Sequence, residues 1–170
     1  VIVQGPAPED LDHWDHSANL PDLLQHLQGA CGYLQDLVQH VPDVGGEWRL
    51  WPVADRPPVS SEAQMAQGLV ALLGDAAHPM RPYLAQGAGM AIEDAAELQS
   101  ALSMHDLDVS LRLRRYALNR WQRNARVQER SLRNGRIFHS TGLMRWGRDL
   151  SLRALGGRIM DVPWLYEGAL

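Results

Sequence analysis

The sequence predicts an α/β protein whose C-terminal part is a long helical segment. Three observations carry this reading. A short apolar run from Gly68 to Leu73 stops at Gly74-Asp75, the pattern of a buried parallel strand. Gly87-Ala88-Gly89 then opens a stretch in which Ala91, Ala95, Leu98 and Leu102 form a helical stripe. From Asp108 into the 130s, Arg112, Arg115, Arg123, Arg126, Arg130 and Arg133 fall on one side of a second helix, leaving Leu111, Leu118, Trp121 and Ala125 to face inward.

Taken in order, Val1 to Gly5 reads as the tail of a strand entered midway, so part of the natural chain is expected to be absent. Pro6 to Asp12 is a turn. Leu20 to Val41 is helical because Leu23, Leu24, Leu27, Leu34, Leu37 and Val38 recur at steps of three and four, and Gly29 and Gly32 divide it into two pieces. Glu47 to Val53, with Trp48, Leu50 and Trp51, suits a strand, and Asp55-Arg56-Pro57-Pro58 ends regular structure. Asp108 is placed as a helix cap, and Glu93, Asp94 and Glu97 suit the positive end of the preceding helix. Leu143 to Leu155 is a shorter helix ended by Gly156-Gly157, before a tail through Pro163-Trp164-Leu165-Tyr166.

Composition excludes several classes. With 170 residues, 45% of them apolar, the chain can bury a core and is not disordered. Cys31 is the only cysteine, which rules out an internal disulfide and fits a reducing cytosol. No apolar run approaches the roughly 20 residues of a membrane span, and the first residues form no targeting peptide. Charge is lopsided: residues 1–109 carry sixteen acids against three arginines, and the remainder thirteen arginines against four acids. The basic part has few interleaved aromatics for base stacking, so nucleic acid is not expected and the arginines form a solvated or internally paired face. His13-x-x-His16 lacks a second ligand pair, so no metal is expected. Trp48 and Trp51 fit either a substrate cavity or the core.

The chemistry lies between Leu72 and Ala95. A carboxylate following a glycine at the carboxyl end of a strand stands where open α/β sheets bind ligands, and Asp75 there can accept hydrogen bonds from sugar-like hydroxyls. Twelve residues later Gly87 opens a helix whose free N–H groups prefer negative charge. Such a pair suits a ligand with hydroxyls at one end and developing negative charge at the other, as in reduced flavin. Gly87-x-Gly89 is not a dinucleotide fingerprint: no clear strand precedes it, two prolines do, and Ile92 occupies the third small-residue position.

The window resembles the second FAD-binding motif of the group A flavoprotein monooxygenases, the para-hydroxybenzoate and salicylate hydroxylase class. It matches at Gly74, Asp75, Ala76, Ala77, His78, Pro82, Gln86, Gly87, Ala91, Ile92, Glu93, Asp94 and Ala95. Asp55-Arg56-x-Pro58 resembles the arginine turn of salicylate-hydroxylase-like members. Tyr116, Arg120, Arg123, Val127, Gln128, Ser131 and Asn134 resemble their long C-terminal helix, and Arg148-Asp149 and Trp164-Leu165-Tyr166 their tail. The resemblance implies the C-terminal part of a two-domain FAD/NAD(P)-binding hydroxylase fold. Residues 1–58 would end the substrate-binding domain, 59–105 would carry the second FAD motif, and 106–170 the C-terminal helices. The unit with G-x-G-x-x-G that binds adenine and pyrophosphate is missing, and is the partner this segment implies, on the same or a separate chain.

The resemblance further implies a cofactor set of Gly74, Asp75, Pro82, Gln86, Gly87, Ala88, Gly89 and Met90. Asp75 would bind the ribityl hydroxyls; the backbone of Gly87 to Met90 would face N1 and the C2 carbonyl of the ring; Pro82 would lie near the oxygen-reactive face; and His78 would be a loop histidine. The implied reaction is hydroxylation of a small aromatic substrate by NAD(P)H and O2 through a flavin C4a-hydroperoxide, with room for a homodimer. Epoxidase, halogenase or reductase chemistry on the same fold is one alternative, and a non-catalytic remnant or interaction module another. The arginine turn and Arg148-Asp149 favour the hydroxylase.

Overall fold

The computed structural model describes residues 2–3, 10, 16, 19–156 and 162–166. The expected extension at Val1 to Gly5, the turn at Pro6 to Asp12, the His13-x-x-His16 pair and the stop at Gly157 fall wholly or partly outside these. The chain divides into two compact units, Val1–Val53 and Ala54–Leu170. Among the described residues no helix is long and apolar enough to cross a membrane.

In the first unit the leucine-rich stretch forms two helices, α1 (Leu20–His26) and α2 (Gly32–Asp43). Pro21 sits in the first turn of α1, where its missing N–H costs nothing. Gly29, at φ 82, reverses the chain between them. Leu27 and Val38 are buried, and the Trp48 indole N–H donates to the Val38 carbonyl at 2.9 Å. That bond assigns Trp48 to packing on α2, whereas Trp51 is exposed. The strand expected over Glu47 to Val53 is reduced to one antiparallel bridge between Leu50 and His16. Pro52 removes a ladder donor from the middle of that stretch.

The second unit is built on two antiparallel-adjacent elements of very different length, α3 (Gly87–Leu102) and α4 (Val109–Phe138). Ahead of them, β1 (Ala66–Gln67) and β2 (Val70–Ala71) pair antiparallel as a hairpin. This corrects the buried parallel strand expected over Gly68 to Leu73. Gly68, at φ 60, turns the chain back, and Leu69 and Val70 at the tip are 76% and 65% exposed. Below the hairpin, Met65, Ala77, Ala101, Leu113, Tyr116 and Ala117 form one apolar cluster; Met90, Val127, Val162 and Leu165 form another. The Tyr116 hydroxyl donates to the Leu72 carbonyl at 2.9 Å. Asp108 stands at the N-terminus of α4 in extended conformation but makes no side-chain cap, so its carbonyl alone starts the helix.

Helix α5 (Gly142–Leu155) follows, ended by Gly156 at φ 59, and α6 (Pro163–Tyr166) closes the described chain. The Arg148 guanidinium donates to the Ile137 and Phe138 carbonyls, satisfying the last turn of α4 where a cation also suits the helix dipole.

The inward face of α4 differs from the expected one. Leu111 and Leu118 are exposed, and the buried side carries Arg120, Asn124, Gln128, Ser131 and Asn134 at steps of three and four. The reason is what α4 packs on. The Asp94 carboxylate of α3, fully buried, accepts from Arg120 Nε at 2.8 Å, Asn124 Nδ2 at 3.0 Å and the Gly74 N–H at 3.0 Å, and bonds His78 Nε2 at 2.5 Å. Beside it, Glu93 accepts from Arg120 Nη1 at 2.7 Å and, in fork geometry, from Arg123 Nε and Nη2 at 2.6 and 2.7 Å. Arg123 also reaches the Leu165 carbonyl, and Arg126 lies 3.8 Å over the Trp164 ring. The acids of α3 thus serve α4 rather than their own helix dipole, since none stands in the first turn.

Burial alone would push the Asp94 carboxyl up, but the bonds from His78, Arg120, Asn124 and the Gly74 N–H outweigh it and hold Asp94 well below the usual carboxylate range. Glu93 is lowered in the same way, its desolvation overcome by Arg123 and Arg120. Burial, then the Asp94 charge, raises the Tyr116 hydroxyl well above its ordinary value.

Two outcomes are expected of the full-length protein. Arg120→Met, which strands Asp94 without its cation, should cost about 3–5 kcal/mol in a denaturant titration. Because Asp94 is depressed in the folded state, its ionisation stabilises the fold above pH of about 4, and that contribution is lost as pH falls through the folded value. An acid titration of stability should therefore be steeper for the wild type than for Asp94→Asn.

Candidate cofactor-binding site

The loop between β2 and α3 brings the predicted residues together. Gly74 adopts φ 58 inside a one-turn 3-10 helix, Gly74–Ala76, and a Cβ there would stand 3.2 Å from the Ala91 Cβ on α3. Both the conformation and the tight contact favour glycine. With its N–H on Asp94, and His78 on the same carboxylate, the turn is tied at both ends to the second turn of α3. The arrangement makes His78 a buried structural group, not one exposed to a ligand.

Held between these ties, Asp75 points outward. Its side chain is exposed, and among the described residues it makes no ion pair or side-chain hydrogen bond. Its Oδ1 lies 3.8 Å from the position a Cβ on Gly87 would take, so the carboxylate stands beside the opening turn of α3. There the Met90 N–H is bonded to the Gln86 carbonyl at 2.9 Å, and the Met90 side chain is fully buried against Arg120. The N–H groups of Gly87, Ala88 and Gly89 have no acceptor among the described residues, as expected of a helix start. Gln86 folds over this turn, its Oε1 3.0 Å from a Cβ built on Gly89.

The chain enters the turn through Ala85 at φ 53, the left-handed region that alanine rarely adopts. Pro82, three residues earlier, is exposed. Arg81 donates from Nε to Asp55 at 2.6 Å, tethering this loop to the Asp55-Arg56-x-Pro58 turn, and the Asp55 hydrogen bond raises the Arg81 pKa. All eight predicted cofactor residues thus fall on two adjoining segments, 74–75 and 82–90. The residues that sequence reasoning left without a role are those that hold these segments, Asp94, Arg120 and Asn124 above all. The signal for them was present as Glu93-Asp94 facing Arg120 and Arg123, but charge alone does not say which arginines turn inward.

A ribityl-flavin fits this geometry: an unpaired carboxylate for hydroxyls, three open donors for the electron-rich ring edge, and glycines where the ring must approach the backbone.

Comparison with known proteins agrees. The family model described as "FAD binding domain" matches residues 3–138. The chain is 37% identical over 147 residues to 3-hydroxybenzoate 6-hydroxylase of Polaromonas naphthalenivorans, covering 85% of this chain and 35% of that protein. Among solved structures, a salicylate hydroxylase substrate complex superposes with a TM-score of 0.73 at 26% identity, over 98% of this chain and 39% of the other. Klebsiella pneumoniae HpxO complexed with FAD and uric acid superposes with a TM-score of 0.70 at 25% identity, over 92% of this chain and 38% of the other. The chain therefore spans somewhat over a third of the length of these relatives. It belongs to the FAD-binding domain family of the flavin-dependent aromatic hydroxylases.

Proposed function

We propose that this chain supplies the ribityl and ring half of the FAD site in an NAD(P)H-dependent monooxygenase that hydroxylates a small aromatic substrate. The observation that carries the proposal is the unpaired Asp75 carboxylate standing beside the open N–H groups of Gly87, Ala88 and Gly89. The named relatives support the substrate class, since two of them are called hydroxylases of hydroxybenzoate and salicylate. The free, exposed thiol of Cys31 supports a cytosolic setting.

FAD supplies the redox chemistry when bound, taking reducing equivalents from NAD(P)H and activating O2. The residues of this chain bind and orient. Asp75 accepts hydrogen bonds from the ribityl hydroxyls and fixes the cofactor along its length. The open turn of α3 would hold the ring through its donors, and the helix N-terminus would favour negative charge there. Pro82 would stand beside the ring with a side chain that offers no proton. Gln86, folded over the turn, limits how far water reaches the donors.

In the full-length protein Asp75→Ala should weaken FAD binding by about 1.5–3 kcal/mol without lowering the melting temperature of the apoprotein. Fluorescence quenching on FAD titration measures it, and unchanged affinity would remove Asp75 from the site. Gly89→Val should crowd the turn against Gln86 and lower the flavin reduction potential, since a lost donor of this kind is worth up to ~3 kcal/mol. A potential identical to wild type would show that this turn does not touch the ring.

A further inference from the structure

Helix α4 makes three hydrogen bonds that the family-wide description of the site leaves without a purpose. Gln128 Nε2 donates to the Pro79 carbonyl at 3.1 Å, Ser131 Oγ to the Arg81 carbonyl at 2.5 Å, and Asn134 Nδ2 to the Tyr83 carbonyl at 3.3 Å. Donors spaced by three along the helix meet carbonyls spaced by two along the loop. All three side chains are buried, and none takes part in the Asp94 network.

Two further contacts complete the grip. A Cβ on Gly135 would stand 2.6 Å from Tyr83 Cε2, so the ring lies directly on the helix backbone where only glycine leaves room. The Tyr83 hydroxyl is 2.9 Å from His139 Nε2 at the end of the same helix. Gln128 also accepts the Val59 N–H at 3.0 Å, joining the loop to the segment before the hairpin. The gripped residues run directly into Pro82, the left-handed Ala85 and the opening turn of α3. Strain at an alanine of that kind persists only where neighbours hold the chain.

We propose that Gln128, Ser131, Asn134 and Gly135 are positioning residues, a ladder that sets where Pro82 and the Gly87–Gly89 donors stand against the flavin ring. They touch no cofactor atom; they act through three carbonyls and one tyrosine ring. This inference rests on the flavin site proposed above. Its consequence is that residues 33 to 40 positions beyond Ala95, the end of the motif, tune the electronic environment of the ring.

The test uses the full-length protein, with Ser131→Ala, Asn134→Ala and Gly135→Ala beside Asp75→Ala as a control for the site itself. Ser131→Ala and Asn134→Ala are each expected to weaken FAD binding about tenfold, the worth of one buried hydrogen bond, and Gly135→Ala to weaken it by displacing the Tyr83 ring. At saturating FAD, each is expected to shift the visible absorption of the flavin and its reduction potential. Variants that melt earlier yet keep wild-type affinity, absorption and potential would show a ladder that only stabilises the fold, and would overturn the proposal. Should Gly135→Ala fail to fold, Ser131→Ala carries the test, because it removes one oxygen and leaves the backbone room unchanged. The control separates the two ideas. Loss of FAD in Asp75→Ala with silent ladder variants defeats the ladder alone, whereas undiminished FAD binding in Asp75→Ala defeats the site reading and the ladder with it.

Discussion

The Asp94 carboxylate is the point from which the second unit is organised. A fully buried carboxylate must be compensated, because the desolvation of an unpaired ion costs several kcal/mol. Asp94 is compensated from four directions: Arg120 and Asn124 on α4, His78 on the loop and the Gly74 N–H in the turn. These partners lie 16 to 30 residues away in sequence, so satisfying one ion fixes the distance between α3 and α4 and the conformation of the turn that carries Asp75. Glu93 and Arg123 extend the pairing to the solvent side, where the fork geometry adds direction. An apolar contact would bury as much surface but would leave α4 free to slide.

Function follows from that arrangement through what is left unpaired. The Asp94 carboxylate is met by four hydrogen bonds; Asp75, next to Gly74 in the turn, makes no side-chain bond among the described residues, and three N–H groups at the head of α3 have no acceptor there. The contrast matters more than either feature alone. A helix start without acceptors is common, and an exposed aspartate is more so. An exposed aspartate held beside a helix start by a turn that favours glycine is a built feature, and it accounts for Gly74 being where it is.

The loop from Pro79 to Gln86 is held differently from a strand or helix. Three of its carbonyls, those of Pro79, Arg81 and Tyr83, accept from side chains of α4, alongside local backbone bonds, and this holds a segment that carries two prolines and a left-handed alanine. This explains why the inner face of α4 carries polar side chains beside its apolar ones. A helix lying on irregular backbone must present donors to it, because buried carbonyls left unbonded are costly.

Much of this was legible in the sequence. Periodicity placed α1, α2, α3, α4 and α5 close to their observed limits, since each depends on local steps of three and four and on Gly29, Gly87, Gly142 and Gly156 at their ends. The spacing of Gly74, Asp75, His78, Gly87, Glu93 and Asp94 marked the family. The strands at Gly68 to Leu73 and Glu47 to Val53 were misjudged because a strand is defined by its partner, and hydrophobicity does not say which partner is present. The inward face of α4 was misjudged in part for a related reason: Trp121 packs on the core as expected, but Leu111 and Leu118 do not, and carboxylates and carbonyls make up part of the surface opposite. Local sequence determined where helices begin and end and which family the chain belongs to. Only the tertiary structure decided which polar groups are buried together, because that depends on charges and carbonyls brought from distant positions to one face.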